Sequence, residues 1–251
     1  MASLLNRQMS VTTALIISNV AIFLLGSIFT TPAIFGISCP ASPEPASTFF
    51  VRGAYSWFTC FMEGEPWRLI TYQFLHAGTM HLVFNMWALY FFGSAVENAM
   101  GSARYLAFYL ACGVAGALFS SLLASLGFFD VAPTPELDHI LQFIANYTGY
   151  ESLQLWQLTP MVGASAAIYG VLVAVAFLYP HLRISLLFPP VTMTLRTFAL
   201  VVLALAVCTV LVNGRNAGGE AGHLGGIILA AIIMSIWRYR YIRQRNNDRS
   251  F

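Results

Sequence analysis

Six apolar runs recur along the 251-residue chain, and polar or proline-containing segments separate them. The runs cover residues 11–29, 80–96, 105–129, 163–179, 198–212 and 222–237. About twenty apolar residues in a helix cross the roughly 30 Å hydrocarbon core of a bilayer, and the fifth run is short by this measure. Charged residues make up 9% of the chain, whereas a soluble domain has about 25%. The sequence therefore predicts an all-α membrane protein, with six transmembrane helices in a single domain over residues 1–251.

Arginine supplies all twelve basic residues, and its distribution predicts the orientation of the helices. Cytoplasmic segments of membrane proteins are enriched in Lys and Arg. The arginines that alternate with mainly acidic loops are Arg7, Arg104, Arg183, Arg196 and the five of the tail, residues 238–251. Both termini are therefore expected to be cytoplasmic, with the tail against the anionic inner surface of the lipid bilayer. Because no basic patch lies outside the tail, the sequence gives no support for nucleic-acid binding.

A serine lies near the start of the fourth apolar run. Pro160 and Gly163 predict an interruption of helical structure just before Ser165, and apolar residues follow the serine as far as Leu178. The first backbone N–H groups of a helix lack intrahelical partners, and the helix dipole there favours negative charge. An oxyanion beside Ser165 would therefore be stabilised in part by the backbone. A serine in such a place is more often a helix cap or a small packing residue, so its position alone leaves both interpretations open.

Three further polar side chains lie at the predicted outer ends of two other runs. His81 and Asn85 are one helical turn apart in the second run, and His223 begins the sixth. Polar groups within a membrane are costly and are functional candidates for that reason. His81 and Asn85 face the same way and can donate hydrogen bonds to a developing oxyanion, but they could equally bond neighbouring helices. The depth that they share with Ser165 favours a functional site.

Small residues offer a way to bring Ser165 and His223 together. One helix face in the sixth run carries Gly222, Gly226 and Ala230, and one in the fourth run carries Ala166 and Gly170. Such faces permit close helix contact, which would place a nucleophile and its base within hydrogen-bond reach. Tyr169, one turn after Ser165, could pack against the imidazole. We interpret Glu220 as a loop residue, so the hypothesis is a Ser165–His223 dyad without a third member.

Several separated motifs together resemble the rhomboid family of intramembrane serine proteases. In chain order they are Trp67-Arg68, the segment 76–85 that ends His81-Leu-Val-Phe-Asn85, Gly163-Ala-Ser165, Tyr169-Gly170 and Gly222-His223-Leu-Gly-Gly226. The resemblance covers nearly the whole chain, from the first run to the sixth. Because distant motifs in the right order are far more specific than an isolated Gly-x-Ser, the chain is identified as a member of this family from its sequence.

The resemblance implies a six-helix rhomboid-like bundle and a role for each motif residue. Ser165 would be the nucleophile, and His223 would be the general base and acid. The oxyanion hole would consist of His81, Asn85 and the backbone N–H of Ser165, and the supporting residues would be Gly163, Tyr169, Gly170 and Gly226. Substrates would be single membrane helices, cleaved near the outer face after passing between the second and fifth runs. The resemblance implies neither a metal nor another cofactor.

Two positions depart from the family pattern. The family usually has glycine where this chain has Ala166, directly after the nucleophile, and Ala230 replaces the second glycine of the sixth-run series. Each alanine adds a methyl group at a close helix contact, so we expect a slightly wider dyad and a changed rate or specificity. The alternative is a rhomboid-like pseudoprotease that binds membrane helices without cleaving them, which the presence of both Ser165 and His223 disfavours.

Other classes of membrane protein fit the sequence less well. A transporter or channel would place ionisable residues along a path across the bilayer. A zinc protease of the membrane would have His-Glu-x-x-His, and an aspartyl protease would have two aspartates in its spans; the sequence has neither.

Cys39 and Cys60 share the first outer loop, and both a disulfide and free thiols remain open. We expect a bacterial inner membrane, because the chain is a compact six-span form without an appended domain.

Overall fold

The computed structural model describes residues 9–131, 153–186 and 190–247, apart from gaps at 29, 32, 35–36 and 39–45, together with residue 142. Arg7, Cys39 and the end of the basic tail lie outside these residues, so predictions about them stay predictions. Cys60, the other cysteine of the first loop, is a buried free thiol.

Most of the described chain is helical. The helices are α1 (Val11–Ile28), α2 (Thr48–Gly53), α3 (Arg68–Thr71), α4 (Thr79–Met100), α5 (Ser102–Ser125), α6 (Leu155–Leu158), α7 (Ser165–Leu178), α8 (Leu195–Leu211) and α9 (Ala217–Asn247). The short antiparallel strand pairs are β1 (Thr30–Thr31) with β4 (Ala46–Ser47), β2 (Ala33–Ile34) with β3 (Ile37–Ser38), and β5 (Arg183–Ser185) with β6 (Thr192–Thr194). The strands lie only in connections, so helix packing forms the core.

Among the described residues, two helical segments are long and apolar enough to cross a membrane by length and composition, namely Ser102–Ser125 and Ala217–Arg240. Shorter apolar helical segments are Val11–Gly26, Ser165–Leu178 and Leu195–Leu211. With 14 residues, α7 is about 21 Å long at 1.5 Å per residue. Because this length is less than the thickness of a hydrocarbon core, at least one end of α7 would lie within the depth of a bilayer.

The central helix is α7, which packs against α4, α5, α8 and α9. Nearly every side chain between residues 166 and 176 is buried. Small side chains make this possible, because alanine, glycine and valine let neighbouring backbones approach closely. The start of α7 is thereby held from several sides, which fixes the position of Ser165.

The first loop holds the segment that precedes α7. Tyr55 and Met161 exchange two backbone hydrogen bonds, of 3.1 and 2.6 Å, and the N–H of Gly163 donates to the carbonyl of Tyr72 at 3.0 Å. Arg68 stabilises this loop in turn, because its buried guanidinium donates to the carbonyl of Ala54 at 2.8 Å and also pairs with the carboxylate of Glu65. These hydrogen bonds therefore fix the non-helical segment that precedes Ser165.

Glu97, near the end of α4, caps the start of α1. Its carboxylate accepts hydrogen bonds from the N–H of Val11, from both the N–H and the hydroxyl of Thr12, and from the hydroxyl of Ser102, at 2.7–2.9 Å. These groups include N–H donors of a first helical turn, which have no partner within the helix. The carboxylate thus joins α1 to the turn between α4 and α5.

Two boundaries of α9 differ from the predicted sixth run. The helix begins at Ala217, five residues before residue 222, and continues to Asn247, within the predicted tail. Asn216 precedes it with a positive φ of 69°, and its carbonyl accepts the N–H of Glu220 at 3.0 Å. Residues 217–221, which the sequence places in a loop, therefore form the first turn of a helix.

Candidate active site

Ser165 and His223 meet where α7 and α9 pack together. The hydroxyl Oγ of Ser165 lies 2.8 Å from the ring nitrogen Nε2 of His223, which is hydrogen-bond distance. Ser165 is the first residue of α7, and His223 lies in the second turn of α9. The two residues are 58 positions apart in sequence, so this contact depends on helix packing. The arrangement is the one that an activated serine nucleophile requires.

Tyr169 holds the imidazole from one side. Its ring is stacked on that of His223, with centroids 3.9 Å apart and an angle of 13° between the planes. Because Tyr169 lies one helical turn after Ser165, the same face of α7 carries both the serine and the surface on which the histidine rests. This restricts rotation of the imidazole about its side-chain bonds.

Glu220 corrects the interpretation that no carboxylate accompanies the dyad. It is a residue of α9, and its Oε2 lies 2.9 Å from Nδ1 of His223. The sequence signal was the spacing of three residues, which places two side chains on one face of a helix. Two consecutive glycines, at 218 and 219, are typical of a loop, so the sequence did not indicate that Glu220 and His223 share a helix.

Glycines on three helices allow the close contact behind Ser165. A Cβ on Gly226 of α9 would collide with the carbonyl of Ala166, and one on Gly170 would lie 2.6 Å from Sγ of Cys112. A Cβ on Gly116 of α5 would be only 2.5 Å from the Cβ of Ala166. The methyl group of Ala166 therefore occupies space that Gly116 leaves free. Ser165 and His223 remain within hydrogen-bond distance although alanine stands at positions 166 and 230.

His81, in the first turn of α4, lies next to Gly163 in the non-helical segment that precedes Ser165. A Cβ on Gly163 would be 2.8 Å from both Nε2 and Cε1 of His81, and 3.7 Å from Oγ of Ser165. Gly163 also has a φ of 127°, which side chains other than that of glycine rarely adopt. Gly163 thus brings the imidazole of His81 close to the serine by having no side chain of its own.

Asn85 lies one turn further along α4. Its amide nitrogen Nδ2 is buried and has no hydrogen-bond partner among the described residues. A buried donor without a partner is costly and uncommon in a folded protein. Asn85 does not line the cavity that contains Ser165 and His81, so of the predicted polar residues it is the one set back from the open site.

A cavity of about 780 Å³ contains the site. Ser165, His81 and His223 line one wall. Residues elsewhere in its lining, which sequence reasoning did not single out, include Trp57, Phe129, Trp156, Asn213 and Arg215. The rings of Trp57 and Trp156 meet edge to face with centroids 5.8 Å apart. A space of this size, apolar with a few polar groups, fits a segment of peptide. No group of three or more metal-ligating side chains occurs in the part of the chain that the structure describes.

His76 is a second buried histidine beside the site, in the connection before α4. Its ring lies 5.0 Å from that of His81, centroid to centroid, and both of its ring nitrogens are buried. Burial, and to a lesser degree the neighbouring His81, lowers the pKa of His76 from 6.5 to about 4. The imidazole of His76 is therefore neutral near pH 7.

We expect acid to destabilise the protein through His76. Its folded-state pKa lies below the unfolded value of about 6.5, so its stabilising contribution is complete above pH 6.5 and is lost as the pH falls towards 4. The free energy of unfolding in detergent should fall by up to about 3 kcal/mol over this interval from this group. The His76→Phe variant should lose that part of the pH dependence.

The exposed His181 provides the control for this prediction. The His181→Gln variant should keep the pH dependence of the wild type, because it replaces a histidine but leaves the buried His76 in place. Identical pH profiles for wild type and His76→Phe would contradict the assignment to His76.

Comparison with known proteins adds to this geometry. A family model described as "Rhomboid domain" matches residues 63–240. "Rhomboid protease AarA" of Providencia stuartii is 27% identical over 226 residues, which are 89% of this chain and 71% of that protein. "Rhomboid protease GluP" of Bacillus subtilis is 32% identical over 171 residues, 68% of this chain but only 27% of that protein. "Inactive RHOMBOID-like protein 8" of Arabidopsis thaliana is 36% identical over 83 residues, 33% of this chain and 24% of that protein.

Proposed function

The chain belongs to the rhomboid family, and from this premise we propose that it is an intramembrane serine endopeptidase. Membership makes it an integral membrane protein with a helical fold. The observation that carries the proposal is the 2.8 Å contact between Ser165 and His223 in the wall of an open cavity. The proposed substrates are membrane proteins whose transmembrane helix is cleaved near the outer face of the bilayer.

We place the protein in the membrane as a single domain of six spans, with α1, α4, α5, α7, α8 and α9 crossing the bilayer. The arginines near the ends of these helices favour cytoplasmic termini, and a bacterial inner membrane is the proposed location. The start of α7 then points to the outer side. Because α7 is shorter than the hydrocarbon core, Ser165 would lie below the outer surface, where the cavity supplies water.

In the first chemical step Oγ of Ser165 attacks the carbonyl carbon of the scissile peptide bond. Its proton passes to Nε2 of His223 as the new C–O bond forms. The His223 imidazolium then gives this proton to the leaving amine, and the C–N bond breaks. The products of the step are an acyl-enzyme on Ser165 and the released amine of one substrate fragment.

Water completes the reaction. His223 takes a proton from a water molecule that attacks the acyl carbon, and then returns a proton to Oγ as the ester bond breaks. The carbonyl oxygen carries negative charge in both steps. We assign its stabilisation to the backbone N–H of Ser165, at the start of α7, and to the side chain of His81. Asn85 supplies a buried donor one turn away, which a bound peptide could reach if the site adjusts.

We propose that substrate helices approach between α4 and α8. The large apolar side chains that face outward along α4 are Met80, Val83, Phe84, Trp87, Tyr90 and Phe91. The side chains of α8 are mostly unburied too, since Leu195, Ala206 and Val210 are its buried ones. A helix with so few buried side chains makes few buried packing contacts, which is typical of the mobile parts of a protein. This supports α8, with the loop that follows it, as the movable side of the opening.

Labelling with a fluorophosphonate tests the proposed function. The probe forms a covalent bond with an activated serine and requires no knowledge of the natural substrate. Wild-type protein in detergent should be labelled, and the Ser165→Ala variant should not be labelled. Because alanine differs from serine only in lacking the hydroxyl, the variant should unfold at the temperature of the wild type. Misfolding would then be excluded as the cause of the lost labelling.

The second candidate is a pseudoprotease that binds membrane helices. The observation in its favour is the similarity to a plant relative whose name calls it inactive. A folded wild type that resists the probe, and that still binds a membrane helix, would favour this function over proteolysis.

A further inference from the structure

We propose that Glu220 positions His223 and completes a Ser165–His223–Glu220 triad in this protein. The inference rests on the proposed serine-protease function and goes beyond the dyad that the sequence predicted. In this role Glu220 acts through the imidazole and does not touch the substrate, so it is a positioning residue.

The three side chains form one continuous chain of polar contacts. His223 uses its two ring nitrogens for two different partners, with Nε2 at 2.8 Å from Oγ of Ser165 and Nδ1 at 2.9 Å from Oε2 of Glu220. Both distances are those of good hydrogen bonds. The side chains of His223 and Glu220 are only 12% and 23% exposed, so water competes little for these contacts.

The carboxylate determines which nitrogen of the imidazole carries the proton. An ionised carboxylate only accepts hydrogen bonds, so Nδ1 must be the donor in its contact with Glu220. The other nitrogen, Nε2, then has a free lone pair directed at the hydroxyl of Ser165. When Nε2 takes the serine proton, the imidazolium that results is stabilised by the adjacent negative charge. A histidine held only by stacking on Tyr169 would have neither advantage.

The backbone that carries Glu220 is fixed on both sides. Its N–H donates to the carbonyl of Asn216 at 3.0 Å, and the hydroxyl of Ser120 donates to the carbonyl of Gly218 at 2.8 Å. One turn later, a Cβ on Gly116 would lie 2.7 Å from the carbonyl oxygen of Gly222, so α5 and α9 are in direct backbone contact. The first turn of α9 therefore cannot move without moving α5.

A carboxylate in a first helical turn also stabilises a helix by interaction with its dipole. That role alone would make Glu220 a structural residue, and its loss would lower stability without changing the chemistry of the folded protein. The two roles therefore differ in what they do to the reaction rate per folded molecule.

The experiment compares the rate of fluorophosphonate labelling in Glu220→Gln and Glu220→Ala with that of wild type. Glutamine keeps the shape but can present a donor group or a neutral acceptor, whereas alanine removes the contact. We expect the limiting rate of serine modification to fall about tenfold in Glu220→Gln and about 10–100-fold in Glu220→Ala, less than the roughly 10²–10⁴-fold typical of a general base itself. These falls are smaller because Glu220 acts only through the imidazole. The apparent affinity for the probe and the unfolding temperature should change little.

A readout that a structural role would not affect is rescue by a small carboxylate. Formate should raise the labelling rate of Glu220→Ala at least severalfold, and it should leave wild type unchanged. The Glu63→Gln variant, which alters an exposed carboxylate of the first loop, is the matched control and should label at the wild-type rate.

The outcomes separate this inference from the proposed function. Wild-type protein that is not labelled would remove the proposed function, and the triad with it. Labelled wild type together with unchanged limiting rates in both Glu220 variants would remove only the triad. A slower Glu220→Ala whose loss follows its folded fraction, without rescue by formate, would likewise assign Glu220 to the helix start.

Discussion

Replacement of His223 by alanine is expected to slow cleavage of a membrane-helix substrate by about 10²–10⁴-fold, the contribution typical of general acid–base catalysis. Without the imidazole, the proton of Ser165 has no acceptor at 2.8 Å, and the leaving amine has no donor. The histidine faces Ser165 and Glu220 with its two nitrogens, so substrate binding should depend on it little. The fall should therefore be in kcat, measured in liposomes with a fluorescent substrate, while KM stays nearly constant.

The stacked Tyr169 provides matched variants for this prediction. Tyr169→Phe keeps the ring that lies 3.9 Å from the imidazole, so its kcat should match that of wild type. Tyr169→Ala removes a stacking contact worth about 0.5–1.5 kcal/mol, which corresponds to a two- to tenfold slower reaction if that energy orients the base. His223→Ala protein that cleaves at the wild-type rate would eliminate the imidazole from the mechanism. A loss in Tyr169→Phe as large as in Tyr169→Ala would assign the effect to the hydroxyl.

The contact between Ser165 and His223 was predictable because it follows from helical spacing. Small residues every fourth position mark the faces on which two helices can meet, and Ser165 and His223 adjoin those faces. The position of Tyr169 follows from the same rule, one turn from the serine. The membrane itself strengthens such reasoning, because a polar side chain in an apolar run needs a physical explanation. The motifs also predicted the family correctly.

The role of Glu220 was not predictable from the same rules, because it depends on where a helix begins. Two consecutive glycines normally favour a loop, and here they lie inside the first turn of α9, which packs against α5. Tertiary contacts decided the boundary. Glu97 shows the same limit, since its partners at the start of α1 are 85 and 86 residues away in sequence. No local pattern relates a carboxylate to backbone N–H groups at that separation.

The cavity also explains why polar residues at one predicted depth are not equivalent. His81 and Asn85 share a face of α4, but His81 lines the cavity and Asn85 does not. Gly163 contributes to the position of His81, because its missing side chain leaves the space next to the imidazole free. The sequence motif contains this glycine, but its contact with His81 depends on the hydrogen bond that fixes residue 163 to Tyr72. The geometry around the serine is therefore a joint product of the first loop and α4.

Replacement of Gly163 by alanine is expected to lower kcat by about 10²–10³-fold, the usual effect of losing one oxyanion donor. Two causes act together. A Cβ at this position would lie 2.8 Å from Nε2 and Cε1 of His81, so the imidazole must move away from the serine. The φ of 127° is also unfavourable for alanine, with a cost of about 1–3 kcal/mol. Cleavage in liposomes gives kcat, and thermal unfolding in detergent gives the loss of stability.

Gly127 separates the two causes, because it has a positive φ of 75° but nothing lies within 4 Å of its Cβ position. Gly127→Ala should thus lose stability through backbone strain while it keeps its cleavage rate. If strain alone were responsible, the two variants would lose activity in proportion to their loss of stability. Gly163→Ala with a normal kcat would show that His81 can move without consequence, and stabilisation of the oxyanion would then fall to the start of α7 and to Asn85.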